Sequence, residues 1–573
     1  MVASTARFTG AAAKVAAGLA LALGALACTP AQYARQADRA AYGTVAQTEQ
    51  FALGARTPFS ATYRPIPLPA TGPTTVPSIP ASTGPATRPA AVRVLMLDEA
   101  LAVAFRNGRT FQTRKEQLYS AALALANTRR GWDFPLFDGP LEGAAGRTVV
   151  NRGGETNAAA LSAGPSLTQR LAAGTVFTLA AGLDIASDLL GIRSTTVGST
   201  LSASVTQPLL RGALYGLAYE EQYRAERDFV FSVLDYDRFT QQFAVDVISR
   251  YYAVLQQRDR LENEQENIKR LEETLALTRT LVKGGVRSRI EEDQAEQNLL
   301  DAKVRFEQNL QDYEDALDRL KLFLGLPVAT RLALDYPGAL EALNRIGPQA
   351  IPVAEEAAFD VALHSRPDVL RAAAALRDAE RNVQIAADAF LPALDVTLGI
   401  SAASSPPRKF AAARFDRHTR AAAVTFDYNL DQTDHRDAYR NSMIARDRAQ
   451  RDWAEFLDTL RLEIRNSYRT LVQSRRSYEI QLRNVEINKR RRALAVLQQK
   501  EGQASARDVL EAEESLRLAQ NGVTSAMVQY TVTRLQFLTT LGLLGVDEKG
   551  TLHERPRPVR YDRIARRYPY ALP

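Results

Sequence analysis

An apolar residue at every seventh position marks residues 217–324 as a long helical hairpin. Residues 217–283 contain neither glycine nor proline, Gly284-Gly285 interrupts them, and residues 286–324 again lack both breakers. The repeating positions are Val247, Val254, Leu261, Ile268, Leu275 and Val282, then Leu299, Phe306, Tyr313 and Leu320. A sustained seven-residue period predicts a left-handed coiled coil, whose first arm would be about 100 Å long.

The same hairpin occurs a second time, at one constant offset in the numbering. The tip Lys283-Gly284-Gly285 corresponds to Lys500-Glu501-Gly502, and Gly325 corresponds to Gly542. The apolar positions that repeat are Ile464, Leu471, Tyr478 and Val485, before the seam lapses at Arg492 and Gln499, and then Leu516, Val523, Tyr530 and Phe537. The constant offset predicts an internal duplication, because two unrelated coiled coils would not share a register.

Ahead of each long helix the pattern changes to alternation. Residues 166–179 and 200–206 alternate in the first half, and residues 393–402 and 419–430 alternate in the second. This pattern predicts a strand pair in each half, hence four strands per chain. Transmembrane strands of about 9–11 residues give such a signal, and so does an exposed soluble hairpin. Four strands cannot close a barrel, and lipid does not tolerate open edges, so a membrane sheet requires further copies of the chain.

The N-terminus predicts export. Arg7 and Lys14 precede an apolar run that ends at Ala27, which is typical of a signal peptide and too short for a comfortable membrane span. Ala25-Leu26-Ala27 before Cys28 resembles a bacterial lipobox, although leucine is expected where Ala25 stands. Cys28 is the chain's single cysteine, which favours lipidation over an ordinary signal peptide that happens to contain it. No other segment reaches 18 consecutive apolar residues.

These observations divide the chain into six parts. The predicted parts are a signal peptide (1–27), a lipidated Pro/Ala/Thr-rich segment (28–94) that forms an extended tether or a clamp lying on the folded body, a first repeat (95–327), a connector (328–354), a second repeat (355–545) and a basic tail (546–573), extended or disordered from Glu554 onward. Each repeat comprises a helix (97–130 or 355–391), a strand pair (135–212 or 392–430) and a hairpin (213–325 or 431–543). We expect the shorter helix to stack on the end of the return helix, which spans only about 60 Å.

Composition weighs against a nucleic-acid-binding protein and against an enzyme. The 72 basic and 65 acidic residues are interspersed, and the formal charge of +7 is modest for 573 residues, so solvated helix faces explain them. The four histidines, His364, His418, His435 and His553, have no metal-ligand spacing, and neither a phosphate-binding loop nor a nucleophile elbow is present. We therefore predict no enzyme activity, no metal site and no cofactor.

The order of these features resembles the TolC-type outer membrane efflux proteins over residues 95–545. No single motif is strong, but their order and the duplication are specific. The segments that carry the resemblance are Leu97-Asp98-Glu99-Ala100-Leu101, Gln207-Pro208-Leu209-Leu210-Arg211-Gly212, Gly285-Val286-Arg287-Ser288 with Gln294-Ala295-Glu296, and Gly502-Gln503-Ala504-Ser505 with Asp508-Val509-Leu510-Glu511-Ala512-Glu513.

The resemblance implies a mainly α chain with a membrane β part. Three copies would build a 12-stranded outer-membrane barrel, continuous with a periplasmic barrel of 12 helices. Such a homotrimer is the exit duct of a tripartite efflux pump or a type I secretion system. Its partners would be a periplasmic adaptor and an inner-membrane transporter that drives export of small molecules or polypeptides.

The resemblance also places the adaptor-docking site at the two hairpin tips. The matching residues are Gly285, Val286, Arg287 and Ser288 in the first tip, and Gly502, Gln503, Ala504 and Ser505 in the second. Glycine permits the sharp reversal, and serine can accept hydrogen bonds from free amides at the next helix start. Any helical hairpin needs such a turn, so a purely structural role is the alternative.

A second implied site is the periplasmic gate. Asp508 and Glu511 occupy the positions at which acidic residues narrow the family's pore, and Glu291 is the matched acidic residue of the first hairpin. Threefold repetition would concentrate negative charge at the mouth, whereas carboxylates that only offset a helix N-terminus would look the same. The family's latch of an acidic residue with a tyrosine and an arginine is not reproduced, because Gln499 and Ala504 stand at the matched positions. Arg287 and Arg507 are its candidate replacements.

A lipid-anchored periplasmic coiled-coil scaffold or adaptor without a pore is the rival interpretation. It would explain the hairpins and the tether. It would not explain two strand pairs at equivalent points of a duplication.

Overall fold

The chain folds into two compact units. One comprises Met1–Gln50, Tyr119–Ser232 and Ala373–Trp453, and the other Phe51–Leu118, Val233–Ala372 and Ala454–Pro573. The signal peptide, Cys28 and most of the tether lie outside the described residues. The computed structural model describes residues 30–54, 58–63, 65, 93–132, 141–150, 154–164, 166–171, 173–188, 195–213, 219–347, 349, 351, 353–403, 418–501, 503–547, 550–555 and 564.

The segment predicted as an extended tether contains a helix, α1 (Pro30–Ala52). Ala41 and Val45 of this helix are buried, and the Tyr119 hydroxyl donates a 2.8 Å hydrogen bond to Asp38. The prediction of an extended chain is therefore wrong for residues 30–52. Apolar residues four positions apart give α1 a buried stripe, but the prolines that follow residue 57 dominate the composition and hid it.

The first repeat follows the predicted order of helix, strands and long hairpin. Its elements are β1 (Arg93–Leu95), α2 (Leu97–Asn107), α3 (Arg109–Arg130), β2 (Leu141–Val150), β3 (Gly154–Ala163), β4 (Ser166–Arg170), β5 (Val176–Asp188), β6 (Thr195–Pro208), α4 (Glu220–Lys283) and α5 (Arg289–Phe323). The 64 residues of α4 correspond to about 96 Å, as the glycine-free stretch predicts.

The connector leads into the second repeat, which has the same order of elements. Their elements are β7 (Leu332–Leu334), α6 (Tyr336–Ile346), α7 (Glu355–Ser365), α8 (Pro367–Asp388), β8 (Ala393–Ala403), β9 (His418–Asp427), α9 (Thr433–Lys500), α10 (Ala506–Thr540), β10 (Leu544–Val546) and β11 (Leu552–Glu554). In the connector, β7 pairs in parallel with β1. Across the residues that the structure describes, no helix is both long and apolar enough to span a membrane.

The two shorter helices are each broken where one helix was predicted. The first break is at Gly108, which is extended, and the second is at Arg366, whose following residue is proline. A residue before proline is disfavoured in the helical region, which accounts for the second break. The ends of the return helices meet these breaks. A Cβ on Gly325 would overlap the carbonyl oxygen of Asn107, and the Ser365 hydroxyl donates a 2.5 Å hydrogen bond to the Leu541 carbonyl.

Among the described residues, all long strands belong to one antiparallel sheet with the order β2-β3-β5-β6-β8-β9. The two halves meet at β6 and β8, where the Thr206 and Thr397 hydroxyls lie 3.1 Å apart. The short strand β4 follows β3 in the chain, and both pair with β5. This sheet carries the strands that the alternating segments predicted, β4 with β5, β6, β8 and β9.

The prediction of four strands per chain is wrong, because the sheet contains seven. The additional strands are β2 and β3, which form a hairpin between α3 and β4. Their sequence, residues 141–163, is rich in glycine, alanine and asparagine and lacks the alternation of large apolar residues that marks a strand. The backbone of β3 pairs with β5, so pairing stabilises this hairpin although its side chains give no strand signal.

The main apolar core of the second unit lies where α2, the start of α3, the middle of α4 and the ends of α5 and α10 pack together. Phe111 and Phe243 are buried with ring centroids 5.2 Å apart, and Phe323 stacks on Phe243 at 5.3 Å. Tyr251 is fully buried and donates its hydroxyl to the Leu95 carbonyl at 3.1 Å. The predicted seam residues Val247 and Val254 belong to this core.

The basic tail predicted from residue 546 begins as folded structure. β11 pairs with β10, and Arg555 lies 3.5 Å from Asp237. Of the tail predicted as extended or disordered from Glu554 onward, Glu554 and Arg555 belong to this folded structure. The remainder, apart from the buried Ile564, is outside the described residues.

Candidate functional site

The first hairpin tip is a glycine turn between α4 and α5. Gly285 has φ +74°, a conformation that side chains disfavour, and nothing lies within 4 Å of the place where its Cβ would be. The amide of Val286 donates to the Leu281 carbonyl at 2.9 Å, which closes the helix end. Val286 is exposed. Ser288 precedes α5 but makes no capping hydrogen bond with its side chain, so the capping prediction is wrong there.

The second tip is capped as predicted at Ser505. Its hydroxyl accepts from the Asp508 amide at 3.3 Å, and the Asp508 carboxylate accepts from the Ser505 amide at 2.8 Å and from its hydroxyl at 2.7 Å. This capping box starts α10. The hydrogen bonds from the Ser505 hydroxyl and then its amide lower the pKa of Asp508. Gly502 lies outside the described residues, while Gln503 is exposed and Ala504 buried.

Arg287 and Glu291 bring the first tip onto the second. The Arg287 guanidinium donates to the Ala504 carbonyl at 2.5 Å, and the Glu291 carboxylate accepts from the Ala506 amide at 3.3 Å. The two side chains are themselves 3.8 Å apart. Both contacts are to main-chain groups at the start of α10. Of the candidate latch replacements, Arg287 therefore makes a contact between the hairpins.

The three predicted gate residues have different surroundings. Asp508 is part of the capping box, and Glu291 faces the first turn of α10. Glu511 lies one turn further along α10 and forms an exposed ion pair of 2.7 Å with Arg491 of α9. An exposed pair of this kind contributes about 0–1 kcal/mol.

Above the tips lies a buried carboxylate that sequence reasoning missed. Glu513 is 1% exposed and accepts from Arg270 of α4 and from Arg492 of α9, each at 2.7 Å. Arg492 is the residue at which the apolar seam lapses. The lapse itself was the available signal, because a charged residue at a seam position needs a buried partner.

A second buried carboxylate lies further from the tips. Glu264 of α4 is fully buried, and it lies 3.3 Å from Arg305 of α5 and 3.4 Å from Arg517 of α10. The Asn267 amide also donates to it at 3.2 Å. Together the two carboxylates bind the first hairpin to α10 through charge as well as through apolar packing.

Comparison with solved structures shows the same fold. The outer-membrane channel OprN matches with a TM-score of 0.55 and 14% identity, covering 78% of this chain and 89% of that one. The Campylobacter jejuni CmeC outer membrane channel matches with a TM-score of 0.54 and 16% identity, covering 82% and 88%. The open state of the Neisseria gonorrhoeae MtrE outer membrane channel matches with a TM-score of 0.55 and 16% identity, covering 78% and 88%.

The family model for outer membrane efflux proteins matches both repeats, at residues 192–326 and 358–543. No curated protein sequence matches the chain. The matched residues make up more than half of the chain and include both hairpins, both tips and the candidate gate. The chain therefore belongs to the outer membrane efflux protein family.

Proposed function

We propose that this protein is the exit duct of a tripartite efflux pump or a type I secretion system, a passive channel driven by a partner inner-membrane transporter. The observation that carries the proposal is the duplication, in which each long hairpin adjoins strands of a single antiparallel sheet. Membership of the efflux family supports it. The duct binds no cofactor and catalyses no reaction.

The working assembly is a homotrimer in the outer membrane. Three copies contribute α4, α5, α9 and α10 each, which makes a periplasmic barrel of twelve helices. The open edges of the sheet support assembly, since lipid does not tolerate unpaired strand edges. Cys28 anchors each copy through lipid, and mass spectrometry of the N-terminal peptide tests this, because an unmodified cysteine would remove the anchor from the proposal.

The two hairpin tips dock the periplasmic adaptor. Exposed side chains of both tips support this role, above all the apolar Val286 of the first tip and the polar Gln503 of the second. Ser288 and the residues of the second turn, Gly502, Ala504 and Ser505, complete the docking surface. Gly285 sets the direction of the first tip through its positive φ.

Asp508, Glu511 and Glu291 form the acidic periplasmic mouth. In a trimer each occurs three times, so nine carboxylates surround one narrow opening and favour cations there. The exposure of Asp508 and Glu511 supports this role, because both carboxylates face solvent. Arg287 and Glu291 hold the resting mouth by clamping the main chain at the start of α10.

Conductance in planar bilayers tests the pore and its mouth together. The variant Asp508→Asn/Glu511→Gln removes two charges per copy and leaves an acceptor for the Ser505 cap, which alanine would not do. We expect stepwise, cation-preferring conductance in the natural protein and loss of that preference in the variant. Asp458→Asn, an exposed carboxylate on α9 away from the tips, is the control that should change nothing.

The outcomes separate the duct from its rival. Conductance with unchanged selectivity in the variant would keep the channel and discard the acidic mouth. A monomer by mass that gives no conductance, even when Arg287→Ala loosens the clamp, would favour the lipid-anchored scaffold without a pore. Trimers that conduct only after the Arg287→Ala change would support both the duct and the clamp.

A further inference from the structure

The large sheet has one apolar face and one polar face. On β8, Leu398 and Ile400 are 56% and 46% exposed, and on β9 Val424 and Phe426 are 69% and 66% exposed. The strand register places these four side chains on one face, because alternate positions along a strand, and positions directly opposite across a strand pair, point the same way. The other face carries small polar side chains such as Thr397. In the duct proposed above, lipid covers the apolar face.

A single positive charge interrupts the apolar face. Arg420 lies on β9 directly opposite Ile400 of β8, and its side chain is exposed. Within the part of the chain that the structure describes, Arg420 has no ion pair and no hydrogen bond through its side chain. Of the described positions of this face in β5, β6, β8 and β9, only that of Arg420 carries a formal charge. A charge on the lipid side of a sheet is costly unless it meets water or an opposite charge.

A groove beside Arg420 adds an apolar seat to this charge. It extends across the face from β5 to β9 and has a volume of about 490 Å³, which is within the range of ligand pockets. Its main lining residues are Phe177, Val205, Leu398, Ile400, Ala422 and Arg420. A ligand that matches this lining has an apolar chain and one anionic group. A guanidinium group binds phosphate through paired hydrogen bonds, so a lipid phosphate fits the charged end.

Arg420 lies at the end of the sheet that points away from the long helices. β9 begins at His418 and ends at Asp427, shortly before α9 starts at Thr433. His418 is exposed and, two positions before Arg420, points to the same face about 7 Å along the strand. Its ring adds a second N–H donor. In the proposed duct the helices project into the periplasm, so this end of the sheet reaches the outer leaflet and its headgroup phosphates.

We propose that Arg420 and the adjoining groove bind a phosphate-bearing lipid of the outer leaflet. The acyl chain lies in the groove against Leu398 and Ile400, the guanidinium group of Arg420 donates to the phosphate, and His418 donates beside it. The inference rests on the proposed function, because it needs the sheet to lie in the outer membrane, and it names a lipid partner for the duct. Pairing along the edge of β9 would use main-chain groups and leave this face open.

Lipid binding to the detergent-purified trimer tests the site. The probe is lipid A, which carries phosphates and acyl chains, the matched ligand is dephosphorylated lipid A, and native mass spectrometry counts the lipids bound. We expect the natural protein to bind lipid A about tenfold more tightly than the dephosphorylated form, as loss of a charged hydrogen bond implies. Arg420→Gln should remove that preference. Arg440→Gln, at an exposed arginine of α9 outside the sheet, is the control and should retain it.

Four results would overturn the lipid site. The first two are equal affinity of the natural protein for both lipids and an unchanged preference in Arg420→Gln. The third is inorganic phosphate that displaces lipid A at equal concentration, because the site would then take a free anion. The fourth is a lower dissociation temperature of the Arg420→Gln trimer in lipid-free detergent, because Arg420 would then pair with a carboxylate of another copy.

Conductance separates these failures from failure of the duct. A trimer that conducts but shows no lipid preference would overturn the site and leave the proposed function standing. A monomer that does not conduct and still distinguishes the two lipids would overturn the duct and leave the lipid contact.

Two neighbouring residues of β8 test the groove. Ile400 and Ser401 point to opposite faces of this strand. Ile400→Asn places an amide in the groove and should weaken the binding of both forms of lipid A. Ser401→Asn is the matched control on the polar face and should leave both affinities unchanged. Unchanged binding in both variants would contradict the groove as the seat of the acyl chain.

Discussion

Two glycines with the same backbone angle differ in their surroundings. Gly285 and Gly325 both have φ +74°, but Gly285 lies in open space, whereas Gly325 touches the main chain of Asn107. The first needs glycine for conformation alone. The second needs it also for the close approach of α5 to the break between α2 and α3.

Alanine at these positions should therefore have unequal effects. We expect Gly285→Ala to cost about 1–2 kcal/mol, the ordinary penalty for a left-handed conformation. Gly325→Ala should cost clearly more, because the methyl group overlaps the Asn107 carbonyl and the junction must shift. Guanidinium unfolding of both variants at one protein concentration measures the difference. Equal midpoints would contradict the role of the close approach.

Asp368, just after the helix break at Arg366, makes the stability of the fold sensitive to acid. Burial alone would raise its pKa, but hydrogen bonds and charge from Arg366 and then Arg238 outweigh burial and lower the pKa to about 2. Since the unfolded chain titrates near 3.8, the ionised carboxylate stabilises the fold above about pH 4. That contribution disappears as the pH falls from about 4 to about 2.

Asp368→Asn should reproduce this loss at neutral pH. We expect a deficit of about 2 kcal/mol at pH 7 that shrinks toward pH 2, because the natural protein then loses the same charge. Unfolding curves of the two proteins across this pH range provide the measurement. A deficit that is the same at pH 7 and pH 2.5 would mean that packing, not charge, is responsible.

At the scale of elements, the heptad register predicted the two hairpins, and Gly325 and Gly542 end both return helices with positive φ as their shared register implies. The breaks near Gly108 and Arg366 were not predicted. At Gly108 a Cβ would lie 3.0 Å from the ring of Phe243, a close approach by a residue distant in the sequence that the chain pattern does not reveal. The β2–β3 hairpin was missed because pairing with β5 rather than side-chain alternation stabilises it.

In the candidate site too, local features were predicted and contacts between distant residues were not. The cap at Ser505 is local and was predicted, although the reciprocal bond to Asp508 was not, and the same cap at Ser288 is absent. The contacts of Arg287 with Ala504 and of Glu513 with Arg270 join residues from different hairpins. Long side chains reach several positions, so register alone left Arg287 and Arg507 as equal candidates.

The buried ion pairs of Glu513 and the exposed ion pair of Glu511, both on α10, should contribute differently to stability. Glu513→Gln should lower the free energy of unfolding by about 3 kcal/mol, because it leaves the partly buried Arg492 without its charge partner and Arg270 with only the exposed Glu266. Glu511→Gln on the same helix removes only an exposed pair and should cost less than about 1 kcal/mol. Guanidinium midpoints of the two variants give the comparison. A similar small loss for both would indicate that water reaches Glu513.

At the scale of the whole molecule, a substitution at the first tip should abolish docking of the adaptor and leave conduction through the pore unchanged. Val286→Glu places a charge on the exposed apolar point of the first tip without disturbing the turn. We expect cells that carry only this variant to lose export, measured as sensitivity to exported compounds, while the purified protein conducts normally in bilayers. The control Ile385→Glu changes an exposed apolar residue of α8, far along the chain from either tip, and should retain both properties. Loss of conductance with Val286→Glu would place this residue in the pore instead.

The two hydrogen bonds described between the tips go to main-chain groups of the second tip. Arg287 and Glu291 grip a carbonyl and an amide, groups that every residue other than proline supplies. Substitutions at the exposed Gln503 can therefore accumulate without removing either hydrogen bond. If the tips dock the adaptor and the clamp holds the mouth as proposed, the turn can diverge to suit a different adaptor while the clamp persists, so partner choice and closure can evolve independently.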